Sequence, residues 1–257
     1  HGMASPRVEE NFNRGWMFTK GDMAGAEASG FDDSKWLAVR LPHDWAIAGP
    51  HEPDEWGHTG KLPWRGVGWY RKTFTLPKED AGKQVYLDFD GVMAFPKVYI
   101  NGKLAGEWDY GYTSFRVDAT PFVKFGEPNT VAVRVDTREH GSRWYPGAGI
   151  YRKVTLVVAN PVHVAQWGTH VTTPEVSDES ATVKARATIE NHTDEDTQVA
   201  VQFRYFDPQG NNVGTTNKVL VVPAGGSNDV EVSTTILKPE RWDIESPVLY
   251  TVETAVV

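Results

Sequence analysis

Catalytic chemistry leaves marks in a sequence, and most of the usual ones are missing here. A serine nucleophile needs a strained turn or a neighbouring base, and no G-x-S-x-G string occurs in the 257 residues. The eight histidines are scattered, and none shows the H-E-x-x-H spacing that sets two imidazoles on one helical face for zinc. His51 and His58 share a loop with Asp54 and Glu55, a set that could pick up a stray cation, although a solvated polar loop is the ordinary reading. Gly66-Val67-Gly68 and Gly147-Ala148-Gly149 are bare glycine pairs with no phosphate-binding helix behind them, which argues against a dinucleotide site. Asp and Glu number 34, enough to supply the paired carboxylates of glycoside hydrolysis, but no local pattern singles out a pair. Cysteine is absent, which removes disulfides, thiolate metal sites and a thiol nucleophile. Taken alone, the residue types therefore name no catalytic group, no metal set and no cofactor.

The elements that would position any site are strands. Helical periodicity is scarce, whereas short apolar or alternating runs bounded by Gly, Pro, Asn and Asp recur. The pattern predicts strands over 68–76, 84–89, 97–100, 114–117, 130–135 and 152–158, with a hairpin turning at Asn101-Gly102. After Asn160-Pro161 a second series of Val/Thr-rich runs follows, over 162–167, 181–190, 198–206, 217–222, 228–236 and 249–257, spaced as in an immunoglobulin-like sandwich. Eight of the ten Trp precede residue 161, and this step in composition places a domain boundary near residue 160. The stretch 46–66, with three Pro and four Gly, is too long for a plain connector and reads as a functional or disordered loop. His1 to Ser5 reads as an expression-tag remnant, and the chain stops at Val257 inside an expected strand without a closing partner, which reads as truncation of a longer protein.

Composition narrows the class further. Hydrophobic residues make up 40% and charged residues 23%, ordinary for a packed protein. The net charge is −8 and no Lys/Arg run occurs, so nucleic acid, whose phosphates demand clustered cations, is not an expected partner. No apolar stretch reaches the roughly 20 residues of a membrane span. The 10 Trp, 9 Tyr and 11 Phe exceed what a core needs and are compatible with stacking on sugar rings. Compartment and oligomeric state stay open, periplasmic or secreted being slightly favoured over cytoplasmic, and a homo-oligomer being one option.

Several strings in order carry a resemblance: Phe31-Asp32-Asp33-Ser34-Lys35-Trp36, Leu41-Pro42-His43-Asp44-Trp45, Gly68-Trp69-Tyr70-Arg71-Lys72, Leu87-Asp88-Phe89-Asp90-Gly91-Val92, Gly111-Tyr112-Thr113-Ser114-Phe115 and Arg143-Trp144-Tyr145-Pro146-Gly147-Ala148-Gly149-Ile150-Tyr151-Arg152. Together they resemble the sugar-binding domain of glycoside hydrolase family 2, most closely its β-galactosidases. The second half, with Trp167-Gly168-Thr169 and Pro247-Val248-Leu249-Tyr250-Thr251-Val252, is similar to the family's immunoglobulin-like domain. The resemblance implies an all-β chain: a jelly-roll, galactose-binding-like sandwich over 6–160, then an immunoglobulin-like sandwich over 161–257. It also implies an (α/β)₈ barrel in the same polypeptide that carries two catalytic glutamates of a retaining mechanism. No residue of this chain is then catalytic.

The resemblance further implies that loops of the first domain help shape the sugar subsite of that barrel, with a β-galactoside or related glycan as ligand. The candidate substrate-binding residues are Arg143, Trp144 and Tyr145, Asp44, His58 and Arg65 of the long loop region, and Asp109 beside Tyr110. Arg143 stands where some family members place a sugar-contacting carboxylate, a departure that leaves a contact to sugar and a pairing at a domain interface equally open. Asp44 has a second reading, a side-chain-to-backbone hydrogen bond that holds a turn. Two other functions are weighed: a stand-alone carbohydrate-binding module, and the front end of a β-glucuronidase or β-mannosidase.

Overall fold

Alternation of buried and exposed residues becomes strand structure throughout the computed structural model, which describes residues 7–49, 64–139, 145 and 147–257. Helical structure among the described residues is confined to two 3₁₀ turns, Trp45–Ala48 and Lys78–Asp80. The chain divides into two units, His1–Ala159 and Asn160–Val257.

The first unit is a jelly-roll sandwich of two antiparallel sheets. One has the order β1 (Val8–Asn11), β10 (Val154–Ala159), β5 (Gln84–Phe89), β8 (Phe115–Asp118). The other has the order β3 (Leu37–Val39), β2 (Trp16–Lys20), β4 (Val67–Thr75), β9 (Pro128–Asp136), β6 (Lys97–Ile100), β7 (Lys103–Glu107). Side chains alternate across a strand, so Tyr70, Phe74, Ile100, Val131 and Val133 of the larger sheet meet Val85, Leu87, Phe89, Val117 and Leu156 of the smaller in one core. The β6–β7 hairpin turns where the sequence predicts: Asn101 and Gly102 both take positive φ, 51° and 82°, as a type I′ turn requires.

The outer face of the larger sheet is covered as well, by the segment that joins β2 to β3. Met23, Ala26, Phe31 and Trp36 pack there against Val67, Trp69 and Ala132. Arg71 fastens this cover. Its side chain is 2% exposed, and its guanidinium donates to Asp33 Oδ2 at 2.9 Å, to Ala28 O at 3.0 Å, and to the carbonyls of Ala26, Ser29 and Phe31. A guanidinium has five N–H donors in a fixed fork; here one carboxylate and four main-chain oxygens receive them.

The second unit is an immunoglobulin-like sandwich. Its sheets have the orders β11 (Val162–Val176), β12 (Ser180–Asn191), β15 (Ser227–Leu237) and β14 (Asn212–Val222), β13 (Thr197–Phe206), β16 (Thr251–Val256). Strict alternation puts Val183, Ala185, Ala187 and Ile189 of β12 against Val199, Val201, Phe203 and Tyr205 of β13. Three expectations change here, the first being that the strand expected over 217–222 begins at Asn212. The strand expected to end at Trp167 runs on to Val176, because Trp167, at φ 52°, forms a bulge with Gly168 and pairing resumes at Thr169. The last strand also has a partner: β16 pairs with β13, and Val257 exchanges two backbone hydrogen bonds with Ala200.

Removing Arg71 would strand Asp33 and four carbonyls under the cover. Arg71→Met is expected to destabilise the protein by about 3 kcal/mol, the cost of breaking a buried, hydrogen-bonded charge pair. Asp33→Asn should cost less, since Asp33 is one-third exposed. The urea midpoint followed by tryptophan fluorescence reads both.

Candidate functional site

Four connections of the first unit meet at one end of the sandwich: 41–49, 90–96, 108–114 and the described part of 137–153. Main-chain pairing sets the frame. His43 N donates to Ile150 O at 2.8 Å, Trp45 N donates to Ala148 O at 2.9 Å, and Met93 and Gly149 exchange bonds of 2.9 and 2.7 Å. Gly149 is required twice over. Its φ is 127°, and a Cβ there would lie 2.3 Å from the Tyr70 hydroxyl and 2.6 Å from His43 O. Gly147, at φ 58°, passes close to the Asp44 carboxylate. The glycine pair at 147 and 149 thus serves a tight crossing of chain segments.

Asp44 is the hub of this end. Its Oδ1 accepts from Ala46 N at 2.9 Å, capping the first 3₁₀ turn, and from Ala148 N at 3.0 Å. Its Oδ2 accepts from the Tyr145 hydroxyl at 2.6 Å. Burial, followed by the carboxylate of Asp44, holds the Tyr145 phenol well above the ordinary tyrosine range. Among the described residues Oδ2 accepts this one hydrogen bond, while Oδ1 accepts two.

Tyrosines bring in the remaining loops. The Tyr112 hydroxyl donates to Tyr145 O at 3.1 Å, and the Tyr151 hydroxyl donates to Gly111 O at 2.8 Å. A Cβ at Gly111 would sit 2.3 Å from Met93 Sδ, so the buried Met93 side chain would have to shift to admit one. Beneath, the buried Tyr70 hydroxyl lies 2.7 Å from Nδ1 of His43, and desolvation lowers the His43 pKa. Burial also drives the Tyr70 pKa far above its normal value. The edge is aromatic and open: Phe95, Trp108 and Tyr110 are 41%, 39% and 59% exposed, and Trp108 stacks on Phe115.

Of the residues expected from sequence to touch substrate, Asp44 and Tyr145 are in direct contact. Asp109 is exposed on the loop whose Tyr112 bonds to Tyr145. Arg65 is half-buried and follows Trp64, whose carbonyl accepts from Trp45 Nε1 at 2.9 Å. Arg143, Trp144 and His58 lie outside the described residues, as do His51, Asp54 and Glu55. Tyr112, Tyr151 and Gly111 had no role assigned from sequence, although all three stand within quoted motifs; bonds that span 33 and 40 residues are invisible in a linear pattern. A separate concavity of about 440 Å³, lined in part by Asn101, Lys103, Phe122 and Lys124, sits beside the β6–β7 turn and includes none of these residues.

Two sandwiches of this kind in succession are the domain pair of a glycosidase family. The family model described as "Glycosyl hydrolases family 2, sugar binding domain" matches residues 63–161, and that described as "Glycosyl hydrolases family 2" matches residues 162–257. The chain belongs to glycosyl hydrolase family 2. It is 43% identical to the β-galactosidase BoGH2A of Bacteroides ovatus over 99% of its own length and 30% of that protein's. A β-glucuronidase of Formosa agariphila is 32% identical over 98% of this chain and 28% of its own length. Among solved structures, a glycosyl hydrolase family 2 member from Bacteroides cellulosilyticus superposes with a TM-score of 0.90 at 32% identity, covering 97% of this chain and 33% of that one. The chain thus spans about 30% of the length of these relatives.

Two substitutions test the hub. Tyr145→Phe removes one donor to a charged acceptor and is expected to cost about 1.5–3 kcal/mol, whereas Asp44→Ala leaves two buried N–H groups without an acceptor and should cost more. The raised Tyr145 pKa also fixes a pH dependence. The folded state holds this proton more tightly than the unfolded chain, so the stabilisation is present below pH about 10 and is lost as pH rises beyond it. Unfolding midpoints between pH 8 and pH 11, both values being about those that bracket a free tyrosine, should fall less steeply for Tyr145→Phe.

Proposed function

We propose that this chain is the non-catalytic front part of a retaining, β-galactosidase-type glycoside hydrolase, where it scaffolds an (α/β)₈ barrel and finishes the rim of its sugar pocket. The observation that carries this reading is the meeting of four loops at one end of the first unit, where Asp44 binds Ala46, Tyr145 and Ala148 and the loops 90–96 and 108–114 carry exposed aromatic rings. The strong likeness to BoGH2A over nearly the whole chain, against less than a third of that enzyme, supports it. Asp44, Tyr145, Asp109 and Arg65, with Arg143, Trp144 and His58 of the neighbouring segments, are the proposed sugar-facing group.

A stand-alone binding module is less well supported. That function calls for flat aromatic rings side by side on a sheet. Among the described residues Trp16, Trp45 and Trp69 are buried, while the exposed Trp108, Trp167 and Trp242 lie in three separate segments. The front end of a β-glucuronidase is the second reading, favoured by relatives of that name that match most of the chain. Relative turnover of nitrophenyl β-galactoside and β-glucuronide by the longer enzyme decides between the two.

On its own the chain is expected to hydrolyse neither substrate; turnover by contaminant-free protein would overturn the reading. In the longer enzyme, Asp109→Ala is expected to raise KM about two- to tenfold, the worth of one hydrogen bond, with little change in kcat. Michaelis–Menten analysis of the purified variant checks this.

A further inference from the structure

The second unit contains a side-chain cluster with the donor set of a metal centre. His163 on β11 is the cross-strand partner of Glu190 on β12, and His192 follows two residues on, where the side-chain period of a strand returns it to the same face. His163 Nε2 lies 3.5 Å from Glu190 Oε2, and His192 Nε2 lies 3.4 Å from the same oxygen. The two imidazoles stack almost parallel, 8° apart with centroids 5.3 Å apart. One ligand atom from each of the three residues falls within 4.8 Å of the others.

We propose that His163, Glu190 and His192 form a binding site for a divalent transition metal, with Zn²⁺ as the representative ion. Four features support this. Tetrahedral ligands about 2.0–2.1 Å from zinc stand about 3.3 Å from one another, close to the two N–O separations found. The third edge, between the imidazoles, closes by rotation of the partly exposed His192 ring. His163 Nδ1 lies 2.8 Å from the carbonyl of Asn160. That oxygen only accepts, so Nδ1 carries the proton and Nε2 presents its lone pair toward Glu190, the outer-shell arrangement that orients metal-binding histidines. Lastly, the turn bearing His192 is fixed. Buried Asn191 donates to Glu195 O and Val222 O and accepts from Thr193 N, while His192 N donates to Pro161 O.

Two imidazoles and one carboxylate suit zinc and its neighbours rather than Ca²⁺ or Mg²⁺, which prefer all-oxygen shells. Three protein ligands leave a position for water. Bound metal would staple the first strand of the unit to the end of β12, which is a structural role.

The test uses the whole chain, stripped of metal by chelator and dialysis, and titrated with ZnCl₂ in a calorimeter. His192→Ala and Glu190→Gln are the variants, because both side chains are partly exposed and neither is part of the core; circular dichroism verifies their folding. One saturable Zn²⁺ equivalent is expected for the unaltered protein and should be weakened at least about tenfold in each variant, since even outer-shell losses cost that much. The thermal midpoint should rise with Zn²⁺ only in the unaltered protein. In imidazole ¹⁵N spectra, Nε2 of His163 should shift on titration while Nδ1 keeps its proton. Identical isotherms for all three proteins, or no saturable binding, would overturn the proposal and leave protons as the charge between these groups. Neither outcome bears on the glycosidase reading, which rests on the loop end of the first unit and on the likeness of the whole chain to family members.

Discussion

The carboxylate of Asp44 collects donors from residues 46, 145 and 148, and the loop end of the first unit depends on that convergence. Each bond to a charged acceptor contributes about 1.5–3 kcal/mol, more than a neutral turn contact, and two of the three close loops about 100 residues long. A neutral side chain could cap the 3₁₀ turn, but it would not draw the Tyr145 phenol to 2.6 Å. The geometry also separates tasks within one group. Oδ1 accepts from two main-chain donors, while among the described residues Oδ2 accepts from the Tyr145 hydroxyl. The turn-holding role considered from sequence and a role at a pocket are therefore compatible, since they use different oxygens.

The sandwich makes this end rigid enough to matter. Gly149 sits where the Tyr70 hydroxyl and His43 O leave no room for a Cβ, so the crossing segments are set by close packing as well as by hydrogen bonds. Arg71 acts on the opposite side of the same strand, β4, by holding the cover of residues 26–33 against the sheet. Tyr70 and Arg71 are neighbours in sequence and face opposite ways, as strand geometry requires. One strand thus anchors both the core beneath the loop end and the second layer behind it.

Much of this was legible from the sequence, and where it was not, the reasons are physical. The strands 84–89 and 97–100 come out with the expected bounds: 97–100 carries its burial in a period of two, and 84–89 is a short apolar run bounded by turn residues. β1, β2 and β3 fall outside the expected strands: the burial of β1 and β3 does not alternate, all four residues of β1 being exposed so that hydrogen bonding to β10 defines it, whereas β2 alternates but is only five residues long. The expected strand stops at Trp167, short of the end of β11, because a bulge breaks the period without ending the strand. At the loop end, Asp44 and Tyr145 were legible through family motifs. Tyr112 and Tyr151 were not singled out, because their task depends on long-range bonds to main-chain oxygens that no sequence spacing encodes.

The distribution of aromatic side chains bears on how the loop end would work. A flat sheet surface binds a glycan by itself when its rings lie in one plane, because each ring buries a sugar face without help. Here Trp16, Trp45 and Trp69 of the first unit are spent on packing, and the exposed rings of Phe95, Trp108 and Tyr110 sit on the loops 90–96 and 108–114. An edge ring covers only one side of a ligand. Its contribution grows when a second surface closes the other side and removes water, since hydrogen bonds to a carboxylate strengthen as the local dielectric falls. A rim built in this way suits a pocket completed by another domain better than a platform that acts alone.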